Sequence, residues 1–363
     1  MTRRKPPLHG VHAASGAKFT EFGGWEMPVH FGSIVEEHET VRGSVGVFDV
    51  SHMGELAVSG PDATALTQRL TTNDVTLLSP GEAQYTAITD ADGVILDDAV
   101  VYRRDGDPAD YLLVPNAGHD AEMTDRWTSH RDEWDLDAAV ENVTEEWAML
   151  AVQGPEAVDL VAGVADGSVR DLPRFSTTAV AVAGVDCLVA RTGYTGEDGV
   201  ELLCPWDDAE AVYDAVDCPP VGLGARDTLR TEMGFLLSGQ DFDPEGNPRT
   251  PYEAGIDFTV ALDTEFVGRD ALERVAAAGV AETFVGLRLL DRGVPRHGHE
   301  IVDADGDHLG DVTSGTMSPT LSEPIALGYL PVEAADPGTE VRVVVRDDHK
   351  RAEVVSPPFV SHG

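Results

Sequence analysis

A chain of 363 residues, 42% hydrophobic and 25% charged, is too long for one simple core and suits about two or three domains of roughly 150 residues. Its 65 acidic and 25 basic residues give a formal net charge of −40, which excludes nucleic acid as a partner, and no apolar run reaches the ~18 residues that a membrane span requires. The acids are dispersed along the sequence, and Lys5, Lys18 and Lys350 are its only lysines; at ~1 M salt the Debye length is ~3 Å and most of this self-repulsion is screened, so the composition predicts a halophilic host.

In chain order, Arg3, Arg4 and Lys5 are followed by Pro6, Pro7 and His9 where a signal peptide would place an apolar stretch, which predicts a cytoplasmic protein. Ser33 to Arg42 reads as a short helix, and VGVFDV and GELAVSG read as strands on either side of Ser51 and His52. Pro61 opens a second predicted helix, PDATALTQRL, with Asp62 in its first turn. QYTAIT and GVILDDAVVY flank the turn Asp90-Ala-Asp-Gly93, a hairpin signal. YLLVPN continues the sheet, and AEMTDRWTSHRDEW is an amphipathic helix. A second set follows: the strand AMLAVQG, the helix PEAVDLVAGV, two strands in TAVAVAGVDCLVAR, the strand VELLCP and the helix DDAEAVYDAV. This interleaving is α+β, without the regular alternation of a doubly wound sheet. From about Thr283 the sequence turns to short strands joined by Asp/Gly turns, the pattern of a small β-barrel.

Several motifs bear on chemistry. In GVILDDAVVY, residues Leu96, Asp98, Val100 and Tyr102 share one strand face and Ile95, Asp97, Ala99 and Val101 the other. Both faces are otherwise apolar, so two adjacent carboxylates are costly to bury unless something pairs with them; the alternative is that the strand bulges or ends there and both acids are solvated. RTGYTGEDGVEL carries glycines at 193, 196 and 199 and leads into a strand holding Glu201, but it lacks the Lys-Ser/Thr of a phosphate loop. GLGARDTLRTEMGFLLSGQ reads as a loop and a helix with Leu229, Met233, Leu236 and Leu237 as its apolar stripe and Gly239 as its stop. Arg226 and Arg230 share a face of that helix, with a salt-bridged scaffold as the plain alternative to a functional role.

Other patterns point away from function. Cys187, Cys204 and Cys218 form no Cys-x-x-Cys pair and read as buried small hydrophobes. Asp303, Asp305 and Asp307 imitate a calcium loop without its glycine spacing or closing glutamate and read as a turn. His297 and His299 have no third ligand nearby, so no metal is predicted, and a Gly-x-Ser-x-Gly elbow is absent.

The blocks FGGWEMP (22–28), VGVFDVSHMGE (45–55), GVILDDAVVY, VPNAG (114–118), AVQGP (151–155), RTGYTGEDGVE, GLGARDTLR, TPYEAGI (250–256) and TSGTMSPTL (313–321) resemble, in this order and over nearly the whole chain, the aminomethyltransferase T-proteins of the glycine cleavage system. The resemblance implies an α+β, three-domain cloverleaf. Residues 1–275 would form two intertwined ferredoxin-like or Greek-key α+β subdomains, the smaller around 52–140, about a central folate cavity, and residues 282–363 a C-terminal β-barrel. It implies transfer of a methylene unit from an aminomethyl group on lipoylated H protein to tetrahydrofolate with release of ammonia, alongside the other glycine cleavage components. Asp98 corresponds to the family's catalytic aspartate and Glu201 to its pterin anchor, while Asn116, Tyr85, Met53, Tyr194 and Tyr102 correspond to folate-pocket members and Arg226 to a functionally important arginine. Burial is expected to raise the pKa of Asp98. Two relatives of the same fold stay open as alternatives: a non-enzymatic folate-binding iron-sulfur repair factor, whose Lys-Gly-Cys-Tyr motif is replaced here by RTGYTGEDG, and a folate-dependent demethylase of a small methylated substrate.

Overall fold

The alternating apolar pattern of the strands determines which face each sheet buries, and that in turn decides where polar side chains gather. The computed structural model describes residues 3–105 and 109–361. Two compact units emerge, one comprising Met1–Ile88, Asp97–Arg226 and Asp263–Phe266, the other Thr89–Leu96, Asp227–Leu262 and Val267–Gly363.

The first unit is built on two five-stranded antiparallel sheets. One runs Thr177–Val182, Val185–Ala190, Gly199–Pro205, Trp147–Gln153, Gly46–Asp49. Its Val47, Leu150, Val152, Val189, Val200 and Leu202 pack on Val158, Val161 and Val212 of the helices Ala157–Val164 and Ala209–Val216. Side chains alternate along a strand, so Glu201, paired across to Ala190 and Ala151, lies on the opposite face. The other sheet runs Ala83–Thr89, Ile95–Arg103, Tyr111–Val114, Leu56–Ser59, Ala139–Asn142. Leu56, Val58 and Leu113 are buried on the side of the helices Ala63–Leu70 and Asp120–Glu133. Val100, paired with Val114, and Tyr102, paired with Leu112, share the other side with Asp98.

The second unit contains the predicted barrel, a closed six-stranded sheet in the order Glu282–Leu289, Glu323–Pro331, His308–Ser318, Glu300–Val302, Glu340–Val345, Asp348–Val355. Val285, Leu287, Ile301, Val312, Leu330, Val343 and Val354 fill it.

Three details differ from the sequence reading. The helix Leu223–Met233 stops at Gly234, whose φ is +72°, before Leu236 and Gly239 are reached. Glycine adopts this left-handed conformation without a Cβ penalty, so the first available glycine ends the helix. The helix after Pro61 begins at Ala63, and the Asp62 carboxylate accepts from the Asp137 N–H at 2.8 Å instead of capping its own helix. A hairpin, Lys18–Phe22 with Trp25–His30, turns through Gly23 and Gly24, both at positive φ. Ser33 caps the helix Ile34–Gly43, its hydroxyl accepting from the Glu36 N–H, and Asp90 closes the predicted hairpin by accepting from the N–H groups of Asp92 and Val94 at 2.9 Å. No helix among the described residues is long and apolar enough to cross a membrane.

Candidate active site

Asp98 sits in the middle of the strand Ile95–Arg103 yet remains partly accessible, while its neighbour Asp97 is fully buried on the other face. The Tyr85 hydroxyl donates to Asp98 Oδ2 at 2.5 Å, and Asn116 Nδ2 donates to Asp98 Oδ1 at 2.5 Å. The same amide donates to Asp97 Oδ1 at 2.7 Å, and the Asn116 backbone N–H donates to Asp97 Oδ2 at 3.1 Å. His119 Nδ1 lies 3.1 Å from Asp97 Oδ2, and that carboxylate raises the imidazole's pKa. Burial first, and then the charge of Asp97, push the Asp98 carboxyl up to about 6, with the Tyr85 and Asn116 hydrogen bonds pulling the other way. The strand neither bulges nor ends at the pair, and one asparagine amide holds both acids.

Glu201 occupies the strand Gly199–Pro205 and is likewise partly accessible. Thr192 Oγ1 donates to its Oε2, and the Tyr102 hydroxyl lies 3.4 Å from Thr192 Oγ1. Burial raises the Glu201 pKa, opposed by Thr192, Arg226 and Tyr102. The loop between Arg191 and Gly199 is fixed from several directions. Arg42 donates to the Thr195 carbonyl at 2.8 Å and pairs with Glu197 at 2.9 Å, Arg191 pairs with Asp198 at 2.6 Å, and Gln153 accepts from Thr195 Oγ1 at 2.9 Å. A Cβ at position 193 would meet Gln153 Oε1 at 2.0 Å, which explains the glycine there. This loop holds Tyr194 against Arg226, whose guanidinium carbon is 4.3 Å from the ring centroid. Met53 is half-buried on a turn closed by its own N–H to Val50 O at 3.0 Å and by Gly54 N–H to Pro115 O at 3.1 Å. All eight of Met53, Tyr85, Asp98, Tyr102, Asn116, Tyr194, Glu201 and Arg226 thus belong to the first unit.

Sequence reasoning missed several participants. Thr192 and His119 were not singled out, because nothing local in the sequence ties them to Glu201 or Asp97. His52 and Glu55, flanking Met53, are fully buried, and their ring nitrogens and carboxyl oxygens have no hydrogen-bond partner among the described residues. Burial and the Arg226 charge depress the His52 pKa to about 3, and burial raises that of Glu55 well above the usual carboxylate range. Both stand in the block VGVFDVSHMGE, where no local pattern marks either as buried without a partner. Arg230 is scaffold: fully buried in the second unit, it pairs with Asp241 at 2.7 Å and donates to Ser314 Oγ at 2.8 Å. Asp303 closes a plain turn, one carboxylate oxygen accepting from the N–H groups of residues 305, 306 and 307. Cys187 and Cys204 are buried and Cys218 is half-buried, all free thiols. Among the described residues no group of three His, Cys, Asp or Glu side chains is placed to hold a metal ion.

Comparison with known proteins adds an independent line. Residues 8–264 match the family model of the GCVT N-terminal domain, and residues 283–361 that of the glycine cleavage T-protein C-terminal barrel domain. The sequence is 63% identical to a probable aminomethyltransferase of Haloarcula marismortui and 63% identical to one of Natronomonas pharaonis, covering 99% of both chains in each case. It is 44% identical to an aminomethyltransferase of Geobacillus kaustophilus over 98% of each chain. The fold matches the crystal structure of glycine cleavage system aminomethyltransferase T from Bartonella henselae with a TM-score of 0.91 and 31% identity, covering 98% of each chain.

Proposed function

The chain belongs to the glycine cleavage T-protein family, whose members are aminomethyltransferases, and on that premise we propose that Asp98 and Glu201 together position tetrahydrofolate for the transfer. The family makes this an enzyme, and the haloarchaeal relatives agree with a halophilic host. The observation that carries the proposal is the pair of partly accessible carboxylates, each in the middle of a strand and each held by hydroxyl or amide donors.

The residues present suit a reduced pterin. Glu201 offers a carboxylate, steadied at one oxygen by Thr192, to an edge carrying a ring N–H beside an exocyclic amino group. Tyr85, Tyr102, Tyr194 and Met53 supply apolar surface with polar tips. Tetrahydrofolate, when bound, supplies the nitrogen that takes up the one-carbon unit. Asp98 orients that nitrogen and accepts or returns its proton, a task suited to a carboxyl whose pKa stands near 6. Tyr85 and Asn116 fix the carboxylate plane so that little reorganisation accompanies proton movement. Arg226, stacked on Tyr194, favours the ionised form of Glu201.

The donor in this reading is the aminomethyl group of a lipoylated H protein, the other glycine cleavage components are partners, and the reaction takes place in the cytoplasm. The relatives reported above are all named aminomethyltransferases, and neither the iron-sulfur repair factor nor the small-substrate demethylase gains support from them. Ammonia release from aminomethylated H protein, measured with and without tetrahydrofolate, tests the proposal. Release that ignores tetrahydrofolate, or is absent with it, would reject it.

A further inference from the structure

Several cations of this acid-rich chain hold a carboxylate, and others do not. Arg42, Arg191, Arg249 and Arg351 each hold a carboxylate within 3.1 Å. One recess in the barrel unit gathers several of the second kind. An open surface recess of about 540 Å³ is lined by Arg292, Arg296, His299, Arg346 and Lys350, the three arginines themselves exposed, and its single acid, Asp348, is already paired with Lys350 at 3.0 Å. Arg292, Arg296 and Arg346 form no ion pair among the described residues. Arg296 is instead fixed by the carbonyls of Pro295 at 3.2 Å and Gly315 at 2.8 Å, which orient the guanidinium without neutralising it.

A second observation concerns the backbone. Arg346 and Asp347 form the two-residue turn between Glu340–Val345 and Asp348–Val355, with φ of +53° and +66°. Glycine and asparagine fill such turns at least cost, and a long cationic side chain at positive φ carries roughly 1 kcal/mol or more of strain. Strain retained at a recess of surplus positive charge points to use of that side chain.

We propose that this recess binds a small organic polyanion carrying two or more phosphate or carboxylate groups. Its volume lies within the ~300–1,000 Å³ typical of small-ligand pockets, and guanidinium forks grip oxyanions two bonds at a time. An acidic protein surface is the weaker candidate, because diffuse attraction is screened over about 3 Å at 1 M salt, whereas short contacts inside a recess persist.

Titration calorimetry on the full chain in multimolar KCl, with inorganic pyrophosphate and citrate as separate probes, tests this. Saturable one-to-one binding is expected, the stronger probe telling phosphate from carboxylate chemistry. Arg346→Gly is expected to fold at least as stably while losing at least tenfold in probe affinity, and Arg296→Gln to lose a similar factor. Ammonia-releasing turnover should be unchanged in both variants, so failure here is separable from failure of the assigned reaction. Absence of saturable binding by either probe, or affinity untouched by both substitutions, overturns the proposal; so does a raised KM for the carrier protein in variants of a chain that binds neither probe.

Discussion

The Asn116 side-chain amide donates to Asp97 and Asp98 at once, at 2.7 and 2.5 Å, so two adjacent carboxylates on opposite faces of one strand share a single neutral donor. Burial, and after it the charge of Asp97, hold the Asp98 carboxyl near 6.

Replacing Asp98 with asparagine should leave folate binding within a few fold and lower turnover by about 100-fold or more, the usual contribution of a positioned proton acceptor. In the unaltered protein, turnover should fall as pH drops through about 6, when Asp98 takes up its proton. The stability linkage has the opposite sense. Because the folded pKa is raised above 3.8, the Asp98 contribution is fully present below pH 3.8 and is lost as pH rises through about 6. Steady-state kinetics from pH 5 to 8 would check the profile, and near-native turnover in the variant would remove Asp98 from the chemistry.

Glu201→Gln exchanges a carboxylate oxygen for a donor that opposes the N–H edge it serves. Folate affinity should drop roughly 10- to 100-fold, corresponding to ~1.5–3 kcal/mol for a charged hydrogen bond. Calorimetry showing an unchanged dissociation constant would refute the anchor.

Glu55 is a fully buried carboxyl without a hydrogen-bond partner among the described residues. Its raised pKa means that its contribution to stability is full below pH 4.5 and fades as pH rises. Glu55→Gln cannot ionise, so its melting point at pH 7 should exceed that of the parent by ~2–4 °C, the shift expected of about 1 kcal/mol. The difference should shrink toward pH 4.5. Calorimetric scans at both pH values decide the matter.

Arg230→Met strands Asp241, which is buried at 2.7 Å from the guanidinium and is also contacted by Thr313 and Ser314. Loss of about 3–5 kcal/mol is expected, the cost of leaving one charge of a buried pair unmatched. Asp241→Asn combined with Arg230→Met should recover part of it, since the residual charge is then removed. Denaturant melts of the single and double variants measure the coupling.

The −40 charge predicts a melting point that climbs steeply between low and multimolar KCl. Equal stability at both ends of the salt range would show that the acids do not act by mutual repulsion.

How far the sequence reached depended on whether a signal was local. The Asp90–Gly93 turn and the opposite facing of Asp97 and Asp98 depend on residues a few positions apart, and both are present as read. The partners of those acids are not: Asn116 lies 18 residues beyond Asp98, and Tyr85 lies 13 before it. Only strand register brings them together, and register follows from packing across the whole sheet. Resemblance supplied both names, while Thr192, His119, His52 and Glu55 needed coordinates. The helix stop was misplaced for a simpler reason: Gly234 and Gly239 are both plausible terminators, and the apolar spacing of Leu236 and Leu237 continued past the true end.

The Gly23–Gly24 turn presses directly on the segment after Asn116: a Cβ at position 23 would fall 2.6 Å from that of Ala117, and one at position 118 would fall 2.8 Å from the Gly23 carbonyl oxygen. The first thirty residues therefore act as a brace for an asparagine nearly a hundred positions downstream. Damage at that distant tip, even a single methyl group, would register as a defect in proton handling, and a screen that looked only near the reacting carboxylates would overlook its origin.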